Sequence, residues 1–368
     1  MIMNPDISKA RQEIAEADRK IAEYFEKRMN AAAEVAAYKK EYGLPIEDKF
    51  QEAAVIERNS GYINNNEIKD YYLSLCETLM ELSKKYQFRL NEGTRVAYNG
   101  SVGAFAYIAA TKVFPGALPI PYGSFEKAYN SVCEEECDLV ILPVENSYAG
   151  EVGKVTDLMF SGPLYVNGVY SLPVSHNLIG TQGASLEGIK AVISHPQALA
   201  QCEKYIKAHG WKTIEAPSTA GAAQTVAANG DSTLAAIGSV ESAEINSLDI
   251  LAQDINESRD NTTKFAVFSR SFIPEIPLKK SSEFIMMFTV NDEAGALVKA
   301  LSVIGKYGFN MKALRSRPVK EKAWQYYFYT EIEGDDNSEQ GKAMIAELTQ
   351  QCEKIRIIGH FNESGAGE

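Results

Sequence analysis

The sequence predicts a multidomain chain: an all-helical segment, then an α/β layer segment, then a ferredoxin-like βαββαβ module. Three observations predict it. Residues 5 to 91 carry apolar side chains at helical spacing, interrupted at "EYGLPIED" and "NSGYINNN", where Gly, Pro and Asn break helices. Residues 94 to 271 alternate short apolar runs with helical stretches. Beyond the proline-bearing connector "SFIPEIPLKKSSE", the apolar period switches repeatedly between two and 3.6. At 368 residues a single core is not expected, and the boundaries read as 1–91, 94–271 and 283–361.

The first segment opens with one long helix from residue 6 to about 41. In the second, "RVAYNG", "DLVILPVE", "KAVISHP", "LAAIGS" and "KFAVFS" read as strands, with helices between them. The third runs strand "FIMMFTV", helix "GALVKALSVIGKYG", strand "NMKALRSRP", strand "WQYYFYTEIEG", helix "EQGKAMIAELTQQC" and strand "KIRIIGHF".

Net charge is -12, which argues against nucleic acid and anionic membrane as partners, since both demand excess Lys and Arg. No run approaches the length of a membrane span, and "MIMNPDISKARQEI" lacks a signal-peptide pattern, so the expected compartment is the cytoplasm. Five widely spaced cysteines fit reduced thiols. Cys133 and Cys137 are spaced to share a helix face, and the four histidines show no metal-ligand spacing, so no metal is expected.

Stepping by four and three along the first helix gives Ile7, Arg11, Ile14, Asp18, Ile21, Phe25, Arg28, Ala32, Val35 and Lys39. Such a stripe packs against other helices, yet this one carries three cations. Either they sit on its margin and reach water, or the bundle holds a small polyanion. Arg28 and Lys39 fall within about 20° of each other and about 16 Å apart along the axis, and so can grip two ends of one ligand. Arg11 lies about 25 Å from Arg28. If it takes part, it completes the site of a second chain.

These residues resemble the all-helical chorismate mutase family: Arg11, Arg28, Lys39, then Asp48 and Glu52 in "PIEDKFQE", then Ser83 and Gln87 in "SKKYQ". The resemblance implies that the two arginines hold substrate carboxylates, one of them from the partner chain. It also implies that Lys39 and Gln87 donate to the ether oxygen, with Asp48, Glu52 and Ser83 completing the site. Gln51 stands where the family commonly has a cation.

In the second segment, "GSVGAF" joins a strand to a helix start, where backbone N–H groups can hold an anion. "PVENS" places Asn146 and Ser147 after a buried strand, "SHPQALAQC" places Ser194 at a strand end, and "STAGAA" opens a helix at Thr219. "RDNTTKFA" sets two hydroxyls between a turn and an apolar strand. Singly these are capping and turn chemistry; together they put small polar groups at strand ends, where α/β clefts form. The set, with "LPVSH" and "AAIGS", resembles prephenate dehydratase. That implies two lobes like those of type II periplasmic binding proteins and a catalytic hydroxyl at Thr263. Asn146, Ser147, Ser194, Thr219, Thr262 and Lys264 follow as substrate-binding candidates. Lys264 replaces the usual Arg, and Ala104 and Ala106 replace common hydroxyl residues, so prephenate and its aminated relative arogenate both stay open as substrates.

The third segment resembles a phenylalanine-responsive ACT domain at "GALVKAL" and "RSRPVKEKAWQYYFY". The resemblance implies effector contacts at Gly295, Ala296, Leu297, Val298, Ser316, Arg317 and Pro318, and pairing between chains as a homodimer or homotetramer. Arg315 stands where the family usually has Glu. The whole reads as a bifunctional enzyme converting chorismate to prephenate and then to phenylpyruvate, with L-phenylalanine as effector and no cofactor. A mutase fused to a non-catalytic sensor is the competing reading.

Overall fold

The computed structural model describes residues 7–258, 260–272, 283–319, 325–361 and 363–365. Most of the connector "SFIPEIPLKKSSE", and Arg259 of the "RDNTTKFA" stretch, lie outside the described residues. The chain divides into two compact units, Met1–Thr94 and Arg95–Glu368. No described helix is long and apolar enough to cross a membrane.

The first unit consists of α1 (Ile7–Glu41), α2 (Lys49–Ser60) and α3 (Lys69–Glu92). The first helix stops where Gly43 turns left-handed at φ 64°. Asp48 caps α2 by accepting from the Gln51 amide at 3.0 Å. The buried centre is small: Ala32 and Ala36 of α1 face Cys76, Ser83 and Gln87 of α3. Of the apolar stripe of α1, only Ala32 is buried, with Val35 still 44% exposed. Ile7, Ile14 and Ile21 are 62%, 61% and 59% exposed, because the 24-residue α3 is too short to follow the 35-residue α1 along its length.

In the second unit the chain first builds β1 (Arg95–Asn99), α4 (Phe105–Val113), β2 (Leu118–Tyr122), α5 (Phe125–Cys133), β3 (Leu139–Asn146), β4 (Gly150–Glu151), α6 (Gly153–Ser161) and β5 (Tyr165–Pro173). It then crosses to a second lobe: β6 (Asn177–Gly180), β7 (Ala191–Ser194), α7 (Pro196–Gln201), α8 (Glu203–His209), β8 (Lys212–Glu215), α9 (Thr219–Asn229), β9 (Leu234–Gly238), α10 (Val240–Ile245) and β10 (Asp249–Ala252). It returns through β11 (Thr262–Ser269) into the first lobe, between β3 and β5. The α5 helix ends at Cys133 and Glu135 turns to φ 63°, so Cys137 lies beyond the helix rather than on its face. All five cysteines are free thiols.

The remaining elements are β12 (Glu283–Thr289), α11 (Ala296–Lys306), β13 (Asn310–Pro318), β14 (Tyr326–Glu333), α12 (Glu339–Leu348), β15 (Lys354–Phe361) and β16 (Glu363–Gly365). Among the described residues, eleven strands form one mixed sheet whose main path is β13-β14-β12-β15-β5-β11-β3-β1-β2. The second lobe has its own five-stranded sheet, β10-β6-β9-β7-β8. The C-terminal strands therefore continue the first lobe's sheet through the β15–β5 pairing at Gly359 and Val166. Apolar residues of both parts, among them Leu164, Val166, Ile285 and Ile358, share one core.

Candidate active sites

A cleft of about 460 Å³ opens where the two lobes meet, lined from one side by Asn99, Ala104, Phe105, Asn146, Thr263 and Phe265 and from the other by His176, His195, Gln201, Ser218 and Thr219. Val174, His176 and Asn261, at the two chain crossings between the lobes, belong to that lining. Asn146, the last residue of β3, sits opposite Thr263 in the antiparallel ladder. Its Nδ2 donates to Thr263 Oγ1 at 2.9 Å and to Asn261 Oδ1 at 3.0 Å, while its Oδ1 accepts from the amides of Tyr148 and Ala149 at 3.1 and 2.9 Å. The amide is thereby held in one orientation.

The polar chain continues. Asn261 Nδ2 donates to Gln201 Oε1 at 3.2 Å, and His176 Nε2 lies 2.7 Å from the same oxygen, packed edge-on against Phe105. Burial pulls the His176 pKa down, partly offset by its bond to Gln201, so the ring is neutral at pH 7. His176 Nδ1 and Gln201 Nε2 are buried without partners. Since Thr263 Oγ1 accepts from Asn146, its one proton is directed elsewhere, and the cleft is the polar space beside it.

Among the described residues lining the cleft, none is Lys or Arg. The N-terminal turns of α4, entered at Ala104, and α9, entered at Ser218 and Thr219, open on the cleft, and helix N-termini favour negative charge.

In the helical unit, Arg28 Nη1 donates to the Leu79 carbonyl at 2.8 Å and to the Ser83 hydroxyl. Burial pulls the Arg28 pKa below its usual value. Lys39 Nζ donates to the Ile46 carbonyl at 2.6 Å, and Glu52 pairs with Lys84 at 3.1 Å. Gln87 lies one turn beyond Ser83 on the same buried face, its Oε1 without a partner. Arg28 and Lys39 are both half-buried rather than splayed into solvent; Arg11 is exposed.

The prephenate dehydratase family model matches residues 96–272, and the chorismate mutase type II model matches residues 10–88. An arogenate dehydratase/prephenate dehydratase of Arabidopsis thaliana is 34% identical, over 73% of this chain and 71% of its own. The chain belongs to the prephenate dehydratase family. A bifunctional chorismate mutase/prephenate dehydratase of Aquifex aeolicus is 28% identical over 97% of this chain and 98% of that one, so the relationship runs through the helical unit as well. Two solved structures cover 73% of the chain: a quorum-quenching acylase, GqqA, at 29% identity and TM-score 0.68, and a prephenate dehydratase from Arthrobacter aurescens in complex with L-Phe at 26% and 0.67.

Within the dehydratase unit the structure brings some of the expected residues together and turns others away. Asn146, Thr263 and Thr219 line the cleft, as do the alanines Ala104 and Ala106. Ser147 instead braces the strand, donating to the Asp260 carbonyl at 3.1 Å and accepting from the Thr262 amide at 3.0 Å. Ser194 is fully buried and donates to the Ile237 carbonyl at 2.6 Å, joining β7 to β9. Lys264 follows Thr263 along an extended strand, and successive strand residues face opposite ways. It therefore lines a small enclosed void behind the sheet with Glu145, Arg315 and Glu331, not the cleft.

His176, Gln201 and Asn261 went unassigned from the sequence, although "LPVSH" and "SHPQALAQC" contain the first two. For His176 and Gln201 the signal is a large polar side chain inside an otherwise apolar or small-residue run; Asn261, in the polar turn before "TTKFA", carries none.

Of the expected effector residues, Gly295 starts α11 at φ 83° and Val298 is 65% exposed. Arg317 is engaged already: its Nε and Nη2 reach the two Asp157 oxygens at 2.8 and 3.2 Å, and hydrogen bonding to that carboxylate raises its pKa. Ser316 and Pro318 point to the exposed side of the alternating strand. Asp335, Asp336 and His360 bring ligand-type atoms within 4.8 Å of one another. The His360–Asp336 hydrogen bond and the bonds of both carboxylates to Asn337 account for that cluster.

Proposed function

We propose that the chain catalyses two successive steps of phenylalanine biosynthesis, chorismate to prephenate in the helical unit and prephenate to phenylpyruvate in the cleft. The observation that carries the reading is the Asn146–Thr263 hydrogen bond on the floor of a two-lobed cleft.

The first step is unimolecular: one carbon–oxygen bond breaks, one carbon–carbon bond forms, and no group leaves. It needs a compact conformer and donors where negative charge develops. In this reading Arg28 holds a carboxylate and Lys39 and Gln87 donate to the ether oxygen, with Asp48, Glu52 and Ser83 completing the site. Arg11 acts in the site of a second copy, which makes the working form a homodimer or a homotetramer.

In the second step Asn146 holds Thr263 by its oxygen and leaves its proton for the ring hydroxyl. As the ring carbon–oxygen bond breaks, that hydroxyl leaves as water. The bond to the ring carboxylate breaks in turn, carbon dioxide departs, and its electron pair completes the aromatic ring. Thr263 regains its proton from solvent. Aromatisation supplies the driving force, so a positioned weak acid suffices. The helix N-termini at Ala104 and Thr219 hold the side-chain carboxylate.

The domains then run 1–91, 94–271 and 283–361, the last as a ferredoxin-like ACT domain through which L-phenylalanine acts, with Gly295, Ala296, Leu297 and Val298 as its contacts, in a cytoplasmic enzyme. A cleft lined by no described cation also suits a substrate carrying its own ammonium group, and the Arabidopsis relative is named for arogenate as well as prephenate.

Incubation with chorismate under ultraviolet detection tests the reading: chorismate disappears and phenylpyruvate accumulates. Loss of chorismate with prephenate as the end product would leave the cleft a sensor. Arogenate supplied in parallel, with phenylalanine as the product measured, decides between the two dehydratase substrates.

A further inference from the structure

The neighbours of the two central cleft residues face away from it. Glu145 precedes Asn146, Lys264 follows Thr263, and the two pair across the β3–β11 ladder. On that reverse face they meet the C-terminal part of the chain. Arg315 Nη2 donates to Glu145 Oε1 at 2.6 Å, and Arg315 Nη1 reaches Glu331 Oε1 at 3.4 Å. The guanidinium lies over the Tyr329 ring, 5.3 Å from its centroid, and Tyr329 in turn donates to Glu331 at 2.7 Å. With side-chain exposures of 24% and 28%, Arg315 and Glu145 form a largely enclosed pair, where an ion pair is screened less than at the surface. Burial alone would lower the Arg315 pKa; the carboxylates of Glu145 and Glu331 and the Tyr329 hydroxyl outweigh it and raise it.

The ladder itself is irregular at this point. Register between β11 and β3 shifts between Lys264 and Phe265, one residue beyond Thr263. A bulge re-aims side chains and weakens local pairing, so the ladder by itself does not fix how Asn146 meets Thr263.

We propose that Arg315 is a positioning residue for the dehydration. By anchoring Glu145 from behind the sheet it sets the backbone of Asn146, and through the Asn146 amide it sets the hydroxyl of Thr263. Arginine suits the role because its fork holds Glu145 and Glu331 together, which a single ammonium does not do in the same geometry. The same link gives the C-terminal part a mechanical route to the reacting hydroxyl: a displacement of β13 moves Arg315, and with it Glu145.

The inference rests on Thr263 as the reacting hydroxyl, and the test separates the two ideas. In the full chain, dehydratase kcat and KM are measured for Arg315→Ala, Glu145→Gln, their double variant and Arg315→Lys, with the thermal unfolding of the Arg95–Glu368 unit as the folding control and Thr263→Ala alongside. Arg315→Ala and Glu145→Gln each lower kcat about tenfold, with KM unchanged within about twofold. The double variant falls no further than either single one, and Arg315→Lys lies between wild type and Arg315→Ala. A wild-type kcat in Arg315→Ala, or fully multiplicative losses in the double variant, overturns the inference. If Arg315→Ala does not accumulate as folded protein, a wild-type kcat in Arg315→Lys and in Glu145→Gln overturns it equally. A Thr263→Ala variant that still makes phenylpyruvate removes the catalytic reading itself.

Discussion

The helical unit and the cleft present opposite chemistry to an anion. The first presents formal charge, with Arg28 and Lys39 half-buried on one long helix and Arg11 exposed near its start. The second, among the described residues, uses amides, hydroxyls and helix N-termini, with no lining cation. A charge-based site tolerates looseness, because Coulomb attraction falls off slowly with distance. An amide-based site works only at hydrogen-bond range, so it depends on strands held in register. The cleft accordingly sits on a large sheet with a continuous core, whereas the helical site has few buried residues and an uncovered apolar stripe.

The sharpest way to break this comparison is to remove the reacting hydroxyl. Thr263→Ala lowers dehydratase turnover by about a thousandfold, the upper range for losing one transition-state donor, and leaves mutase turnover intact. Arg28→Ala or Lys39→Ala lowers mutase turnover at least about a hundredfold and leaves the dehydratase unaffected. Near-normal mutase turnover in either variant refutes the charge-based site.

A mixing experiment tests whether the mutase site is shared between two chains. Arg11→Ala and Arg28→Ala proteins, each inactive as a mutase, regain about a quarter of wild-type activity when refolded together, because half the dimers are hybrids with one intact site. Two dehydratase lesions, Thr263→Ala and Asn146→Ala, do not complement in the same way.

The smallest effect is on pH. His176 is held below its ordinary pKa by burial, so the unfolded chain binds its proton more readily. That stability is fully present above about pH 6.5 and is lost as pH falls through the lowered folded value. The dehydratase unit therefore melts at a falling temperature as pH drops below about 6.5, and His176→Asn flattens that slope.

Much of this was legible in residue order, and the limits have physical causes. The three helices of the first unit and the strand–helix succession of the last segment follow from period and punctuation alone, since each has long, regular apolar spacing. Short strands such as β8 and β10 carry four residues each, too few for a period to declare itself. Arg28 stood out because a cation on an apolar stripe is expensive unless it is paired. Thr263 and Asn146 were singled out by motif resemblance, and the structure joins them by a hydrogen bond in the cleft. The onward links to Asn261, Gln201 and His176 join residues far apart in sequence, and no spacing rule reports such a contact.

Ser147, Ser194 and Lys264 mark the opposite limit. Ser147 and Lys264 each neighbour a cleft residue along the chain without sharing its side, and Ser194 is spent on the Ile237 carbonyl, so a motif names a neighbourhood and the local backbone decides who enters it.

The merging of the C-terminal strands with the first lobe bears on any attempt to shorten this protein. Arg356 donates to the carbonyls of Met159 and Leu164 at 3.2 and 2.8 Å, and β15 shields the outer margin of β5. A chain ending near residue 272 would leave that margin bare, its amides and carbonyls ready to recruit a neighbour's strand. Such a fragment should clump rather than become an unregulated catalyst, and a soluble one would have to be made by covering the margin first.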